Sequence, residues 1–208
     1  MLNIAVLVSG GGTNLQALID AQKNGIIKSG KIVRVISSNP DAYALNRARE
    51  NGIESAVVNR REFSSSNDYD NAILKQLDLC GADLVVLAGF MSILGKELVS
   101  KYSNRIINVH PALIPSFCGK GFYGLKVHEK ALEYGVKVTG ATVHFVNEIP
   151  DGGAIILQKA VDILPDDTPE ALQKRVMENA EWQLLPQAVE LFCSNRLIIK
   201  GNTVSIAR

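Results

Sequence analysis

The residues with the clearest chemical content sit in the run Asn108-Val109-His110-Pro111. Asn108 and His110 are two apart on a β-like segment that ends at Pro111, so their side chains leave the same face of a strand. An amide N–H and a protonated imidazole side by side could stabilise an oxyanion developing on a carbonyl. Alone, the pair has a second reading, a histidine at a strand end beside an asparagine in a turn. Asp151-Gly152-Gly153 changes the balance, because its loop follows a segment long enough to return to the same rim. A carboxylate beside an imidazole favours the charged form, which predicts a raised pKa for His110. No serine or cysteine occupies a nucleophile elbow, so Asn108, His110 and Asp151 suggest direct group transfer without a covalent acyl-enzyme. Cys118, with His110 or His128 as base, is the alternative, and a plain loop thiol is its simpler reading. His110, His128 and His144 are 18 and 16 residues apart, which is no local ligand pattern, so no metal is expected.

A second site is written in Ser9-Gly10-Gly11-Gly12-Thr13-Asn14, between an apolar run and a segment with helical spacing. Free N–H groups at a helix N-terminus favour an anion, and glycines let the main chain approach it. A tight turn capped by Thr13 or Asn14 is the other reading. A dinucleotide fingerprint would need Gly or Ala at Leu15 and an acidic residue after the second strand, which ends instead in Ser37-Ser38-Asn39. Gly-Lys-Ser/Thr is absent. A phosphate monoester fits the loop better than a dinucleotide or ATP.

The elements that must position these residues alternate. Short apolar runs at Leu2–Val8, Ile32–Ser37, Glu54–Val58, Leu84–Ala88 and Arg105–Val109 read as strands. Helical spacing follows the glycine loop to Lys23 and recurs at Ala42–Asn51, Asn67–Leu79 and Leu125–Tyr134. Residues 111–123 read as a loop. Val138–Phe145 and Ile155–Val161 are β-rich, and Ile198–Val204 reads as a hairpin. Thr168-Pro169 opens a helix to Phe192 that Pro186 should kink or split. The pattern predicts an α/β fold: a mostly parallel twisted sheet of about seven strands flanked by helices, with a small C-terminal hairpin.

With 208 residues the chain is expected to form a single domain over 1–208, with a functional join near residue 100. Twenty-two basic and 21 acidic residues leave a net charge of +1 without like-charge runs, which disfavours nucleic acid as a partner. No apolar stretch reaches the ~18 residues needed to span a membrane, and the N-terminus lacks the basic region of a signal peptide. Cys80, Cys118 and Cys193 form no CxxC, which points to a reduced cytoplasmic protein.

Taken together, Asn3-to-Leu18, Leu87-Ala88-Gly89-Phe90-Met91, Ile107-to-Pro115, Thr142-to-Val146 and Asp151-Gly152-Gly153 resemble the phosphoribosylglycinamide formyltransferases. These are folate-dependent enzymes of purine synthesis in the formyltransferase superfamily, and the resemblance spans nearly the whole chain. It implies a formyltransferase-like fold with a phosphate-binding half (1–100) and a folate-binding, catalytic half (101–208). It implies 10-formyltetrahydrofolate as co-substrate, phosphoribosylglycinamide as acceptor, no metal, and a monomer or homodimer. Carried over residue by residue, Asn108, His110 and Asp151 are catalytic. Gly12, Thr13, Asn14, Glu178 and Glu181 bind the ribonucleotide. Ser66, Met91, Ser92, Ile93, Leu94, Asn108, Asn147, Glu148, Ile149, Pro150 and Asp151 surround the folate. Three departures stand out. Ser66 replaces an arginine that relatives place near the folate's glutamate tail, Ser92 replaces another, and one extra residue lies between Arg175 and Glu181. A formyltetrahydrofolate hydrolase is the nearest rival, and it should release formate without any acceptor. A tRNA formyltransferase would need a C-terminal RNA-binding domain, for which only about 15 residues follow the last long helix. A non-catalytic phosphometabolite or folate binder would hold both ligands without transfer.

Overall fold

The computed structural model describes residues 1–207. Its first strand, β1 (Leu2–Val8), shows why the run is apolar throughout from Ile4 to Val8. Ile4, Val6 and Val8 pack into one core cluster while Ala5 and Leu7 pack into another on the opposite face of the sheet. A strand covered on both sides has no polar face to write into the sequence.

The chain then alternates as expected. Helix α1 (Thr13–Lys23) is followed by β2 (Gly30–Ser37), α2 (Ala44–Glu50) and β3 (Glu54–Val57). Next come α3 (Ser66–Leu79), β4 (Leu84–Leu87), α4 (Lys96–Lys101), β5 (Ile106–His110) and α5 (Leu125–Tyr134). Strands β6 (Val138–Phe145) and β7 (Ile155–Asp162) complete the part of the sheet that carries the site. With the terminal strands β8 (Leu197–Lys200) and β9 (Thr203–Ile206), the order is β3-β2-β1-β4-β5-β6-β7-β9-β8, with β3 to β5 parallel and β6 antiparallel to both β5 and β7. Crossovers leave β1 in opposite directions, so the ends of β1 and β4 form a topological switch point, where open α/β sheets bind ligands. The ends of β1, β4 and β5 carry the glycine loop, the Gly89–Leu94 segment and His110.

Three expectations need correction. The sheet has nine strands, not about seven: the hairpin of β8 (Leu197–Lys200) and β9 (Thr203–Ile206) joins it, with Thr203 beside Ile155 of β7. Helix α4 is present, in a stretch where no element was expected. The long helix does divide, but ahead of Pro186. Helix α6 (Pro169–Val176), capped by the Thr168 hydroxyl on Ala171 N–H, passes into a π turn over Met177–Glu181 and then into α7 (Trp182–Cys193). A π turn absorbs one extra residue inside a helix, and this one lies within the stretch where the resemblance implied such a residue, between Arg175 and Glu181. Among the described residues no helix is long and apolar enough to cross a membrane.

Candidate active site

Strand β5 delivers Asn108 and His110 as alternation requires, and the antiparallel register sets Asn108 opposite His144 and His110 opposite Thr142 on β6. Asp151 arrives from the turn after β6. A side chain at Gly153 would run into the Phe145 carbonyl, so only glycine lets the turn lie against the strand end. Asp151 itself sits at φ +55°, a left-handed conformation that a non-glycine residue adopts at a cost.

These groups meet. Asp151 Oδ2 lies 3.6 Å from His110 Nδ1, and Asp151 Oδ1 lies 3.5 Å from His144 Nε2. His110 Nε2–H donates to the Phe117 carbonyl at 2.8 Å, and Gly119 N–H donates to Asp151 Oδ2 at 2.8 Å. Two backbone groups of one loop thus hold both members of the pair. His144 Nδ1–H donates to the Phe145 carbonyl at 2.7 Å, which leaves Nε2 to accept from the Asn108 amide at 3.2 Å. His144 was missed by the sequence reading. Its signals were its place in Thr142-to-Val146, one of the segments that carry the resemblance, and the pairing register with Asn108, 36 residues away.

Burial reverses one expectation. Desolvation pulls His110 below the ordinary histidine value, although Asp151 and the Phe117 carbonyl push it up. Burial pushes Asp151 up, but the His144 contact, the His110 charge and the Gly119 N–H outweigh it and hold the carboxyl below the usual range.

The site opens on a cavity of about 670 Å³. Met91, Ser92, Ile93, Leu94, Asn108, Asn147, Glu148, Ile149, Pro150 and Asp151 all line it, with His144 and the loop from Gly119 to Tyr123. Its wall at residues 91–95 is tethered by Met91 N–H to Ser9 Oγ at 2.9 Å, by Tyr69 Oη–H to Ser92 Oγ at 3.3 Å and by Gly95 N–H to Asp70 Oδ2 at 2.8 Å. Ser66 is not among the lining residues; it begins α3 in a separate open groove between α3 and α4, and its hydroxyl accepts from Arg60 at 3.2 Å.

At the other end of the switch point, Gly12 takes φ +72° and packs so tightly that a Cβ would lie 2.7 Å from that of Ala44. The Arg47 guanidinium holds the Gly11 carbonyl at 2.8 Å. The N–H groups of Thr13, Asn14 and Leu15 find no acceptor among the described residues. Asn14 Nδ2 donates to Glu181 Oε2 at 2.7 Å, and burial pushes the Glu181 carboxyl up to about 7. The structure thus joins Gly12, Thr13, Asn14 and Glu181. It does not join Glu178, which is exposed and 3.9 Å from Lys174. Among the described residues no cluster of potential metal ligands occurs.

Comparison with known proteins agrees with this layout. The family pattern described as Formyl transferase matches residues 2–189. The phosphoribosylglycinamide formyltransferase of Haemophilus influenzae is 44% identical over 97% of this chain and 92% of its own length. The enzyme of the same name from Escherichia coli is 40% identical over 97% and 92%. The crystal structure of glycinamide ribonucleotide transformylase 1 from Symbiobacterium toebii superimposes with a TM-score of 0.94 at 42% identity, covering 100% of this chain and 95% of that one. By sequence and by fold, this chain belongs to the phosphoribosylglycinamide formyltransferase family of formyl transferases.

Proposed function

We propose that the protein transfers the formyl group of 10-formyltetrahydrofolate to the glycyl amine of 5'-phosphoribosylglycinamide, giving formylglycinamide ribonucleotide and tetrahydrofolate in purine synthesis. The observation that carries this reading is the convergence of Asn108, His110 and Asp151 at the end of β5, beside a cavity whose wall at Met91 is bonded to Ser9 at the base of the glycine cradle.

The substrate phosphate sits on the Gly12–Asn14 loop against the free N–H groups of Thr13, Asn14 and Leu15, and Glu181 contacts the ribonucleotide beside it. The folate occupies the cavity along Met91–Leu94 and Asn147–Asp151. The amine attacks the formyl carbon, and the carbonyl oxygen takes the negative charge. Asn108 donates to that oxygen and protonated His110 faces it. In the empty site Asp151 and the Phe117 carbonyl favour the imidazolium against burial, and the developing oxyanion adds to them. The attacking nitrogen loses a proton, the folate N10 gains one through a water held by Asp151, and the C–N10 bond breaks. Holding both reactants together supplies several kcal/mol of the barrier, up to roughly 7–11 in ideal intramolecular cases.

Residues 1–100 carry the phosphate loop and residues 101–208 the catalytic three of one domain, while Met91–Leu94 and Glu181 each serve the ligand of the other half. The Cys80, Cys118 and Cys193 thiols are unbonded to one another, which suits a reducing cytoplasm. The test is a spectroscopic assay of folate product with and without phosphoribosylglycinamide. Product should require the ribonucleotide; equal product in its absence would establish hydrolysis instead.

A further inference from the structure

The cavity wall at Met91–Leu94 has little of its own to hold its shape. It runs between β4 and α4 in no helix or strand, and among the described residues its backbone makes no hydrogen bond to another backbone group. Met91 and Ile93 are 53% and 74% exposed, so burial does not fix them either. The wall is held by side chains from elsewhere, and two of its three tethers come from successive residues of α3. Tyr69 donates to Ser92 within the wall, and Asp70 accepts the Gly95 N–H at its end. Both α3 side chains are almost fully buried.

Asp70 is a poor residue for packing alone. Its Oδ1 has no partner among the described residues, and burial pushes the carboxyl above the ordinary carboxylate value in spite of the Gly95 bond. An apolar residue would remove that desolvation penalty. The one hydrogen bond the carboxylate makes is to Gly95, where any side chain would run into it. We infer that Tyr69 and Asp70 are positioning residues for the co-substrate: by fixing Ser92 and Gly95 against α3 they set the shape of the wall along which formyl-folate lies. The inference rests on formyl-folate occupying this cavity. Neither residue bonds to Asn108, His110 or Asp151, so the effect belongs to co-substrate binding rather than to the chemical step.

The test is the KM of each substrate in Asp70→Ala, Asp70→Asn, Tyr69→Phe, Ser92→Ala and the last two combined. KM does not depend on how many chains are folded, so a variant that is only less stable leaves it unchanged. Asp70→Ala should raise KM for 10-formyltetrahydrofolate roughly 5-fold, the worth of one hydrogen bond, with kcat and KM for the ribonucleotide near wild type. Asp70→Asn keeps an oxygen for the Gly95 N–H and should restore the wild-type value. Tyr69→Phe keeps the ring and should raise the folate KM about 2-fold, as its bond is the longer one. Adding Tyr69→Phe to Ser92→Ala should change nothing further, because the bond is already gone. An unchanged folate KM in Asp70→Ala, an equal rise in both KM values, an Asn variant as impaired as Ala, or additive effects of Tyr69→Phe and Ser92→Ala would overturn the assignment while leaving formyl transfer intact. A wild-type chain inert toward 10-formyltetrahydrofolate would overturn both.

Discussion

Asn108 and His110 leave the same strand face yet are anchored differently. Asn108 has one amide N–H on His144 and lines the cavity, so its second N–H is the one free to meet an oxyanion. His110 is buried behind it, held at one nitrogen by the Phe117 carbonyl and faced at the other by Asp151. Removing one oxyanion donor typically costs about 3–4 kcal/mol, so Asn108→Ala should lower kcat about 10²- to 10³-fold, and His110→Ala, which removes the imidazolium charge facing the oxyanion rather than a hydrogen bond to it, should lower kcat as well. His144→Leu removes the acceptor that sets the Asn108 amide without removing a donor to the oxyanion. A lost hydrogen bond of ~1 kcal/mol puts its loss at about 5-fold in kcat with KM little changed. Near-wild-type turnover in the first two variants would remove their roles, and a His144 loss as large as theirs would make it a direct participant. The first three residues were legible because two ride one strand by simple alternation and the third sits on a turn marked by glycines. His144 was not legible, because only tertiary pairing sets it opposite Asn108.

At the scale of elements, the two ligand sites are joined by the ends of β1 and β4, with Ser9 at the base of the glycine loop bonded to Met91 of the cavity wall. The parallel half of the sheet could be read from alternation of apolar runs and helical spacing. Helix α4 could not, because six residues between two loops make too short a period to register. Nor could the joining of the terminal hairpin to β7, which rests on a single register contact. Pro186 drew attention as the expected break, but the break that matters is the π turn of Met177–Glu181. One residue turns an α-helix by about 100°, so the turn decides which way Glu181 points. Deleting exposed Asn179 should restore a regular helix and rotate Glu181 away from Asn14. We expect KM for the ribonucleotide to rise about 5-fold, as for a lost hydrogen bond of ~1 kcal/mol, with KM for the folate unchanged. Glu178→Gln should leave both constants near wild type, because that carboxylate is exposed and only loosely paired with Lys174. Equal effects from the two changes would mean that the turn does not select Glu181.

For the whole molecule, two buried groups make stability depend on pH in opposite senses. His128 is fully buried, neither ring nitrogen has a partner, and burial, with the nearby His110, pulls it down to about 4. The unfolded chain takes up that proton near 6.5, so between there and 4 the unfolded state holds more protons and stability falls as pH falls. Glu181 is the reverse: burial raises it to about 7 from an unfolded value near 4.5, despite the Asn14 bond. Over that window the folded state holds the extra proton, and stability falls as pH rises. Each contribution amounts to about 3 kcal/mol across its window, with slopes of about 1.4 kcal/mol per pH unit. Between pH 4.5 and 6.5 the two slopes cancel. His128→Leu should therefore leave a protein that gains stability on acidification, and Glu181→Gln one that loses it. His110, also pulled down by burial, tilts both curves alike and drops out of their difference. Urea unfolding at pH 4.5, 5.5 and 6.5 should show the two variants diverging by roughly 2.8 kcal/mol per unit. Parallel curves would mean that one of these side chains is not buried uncharged in the folded state.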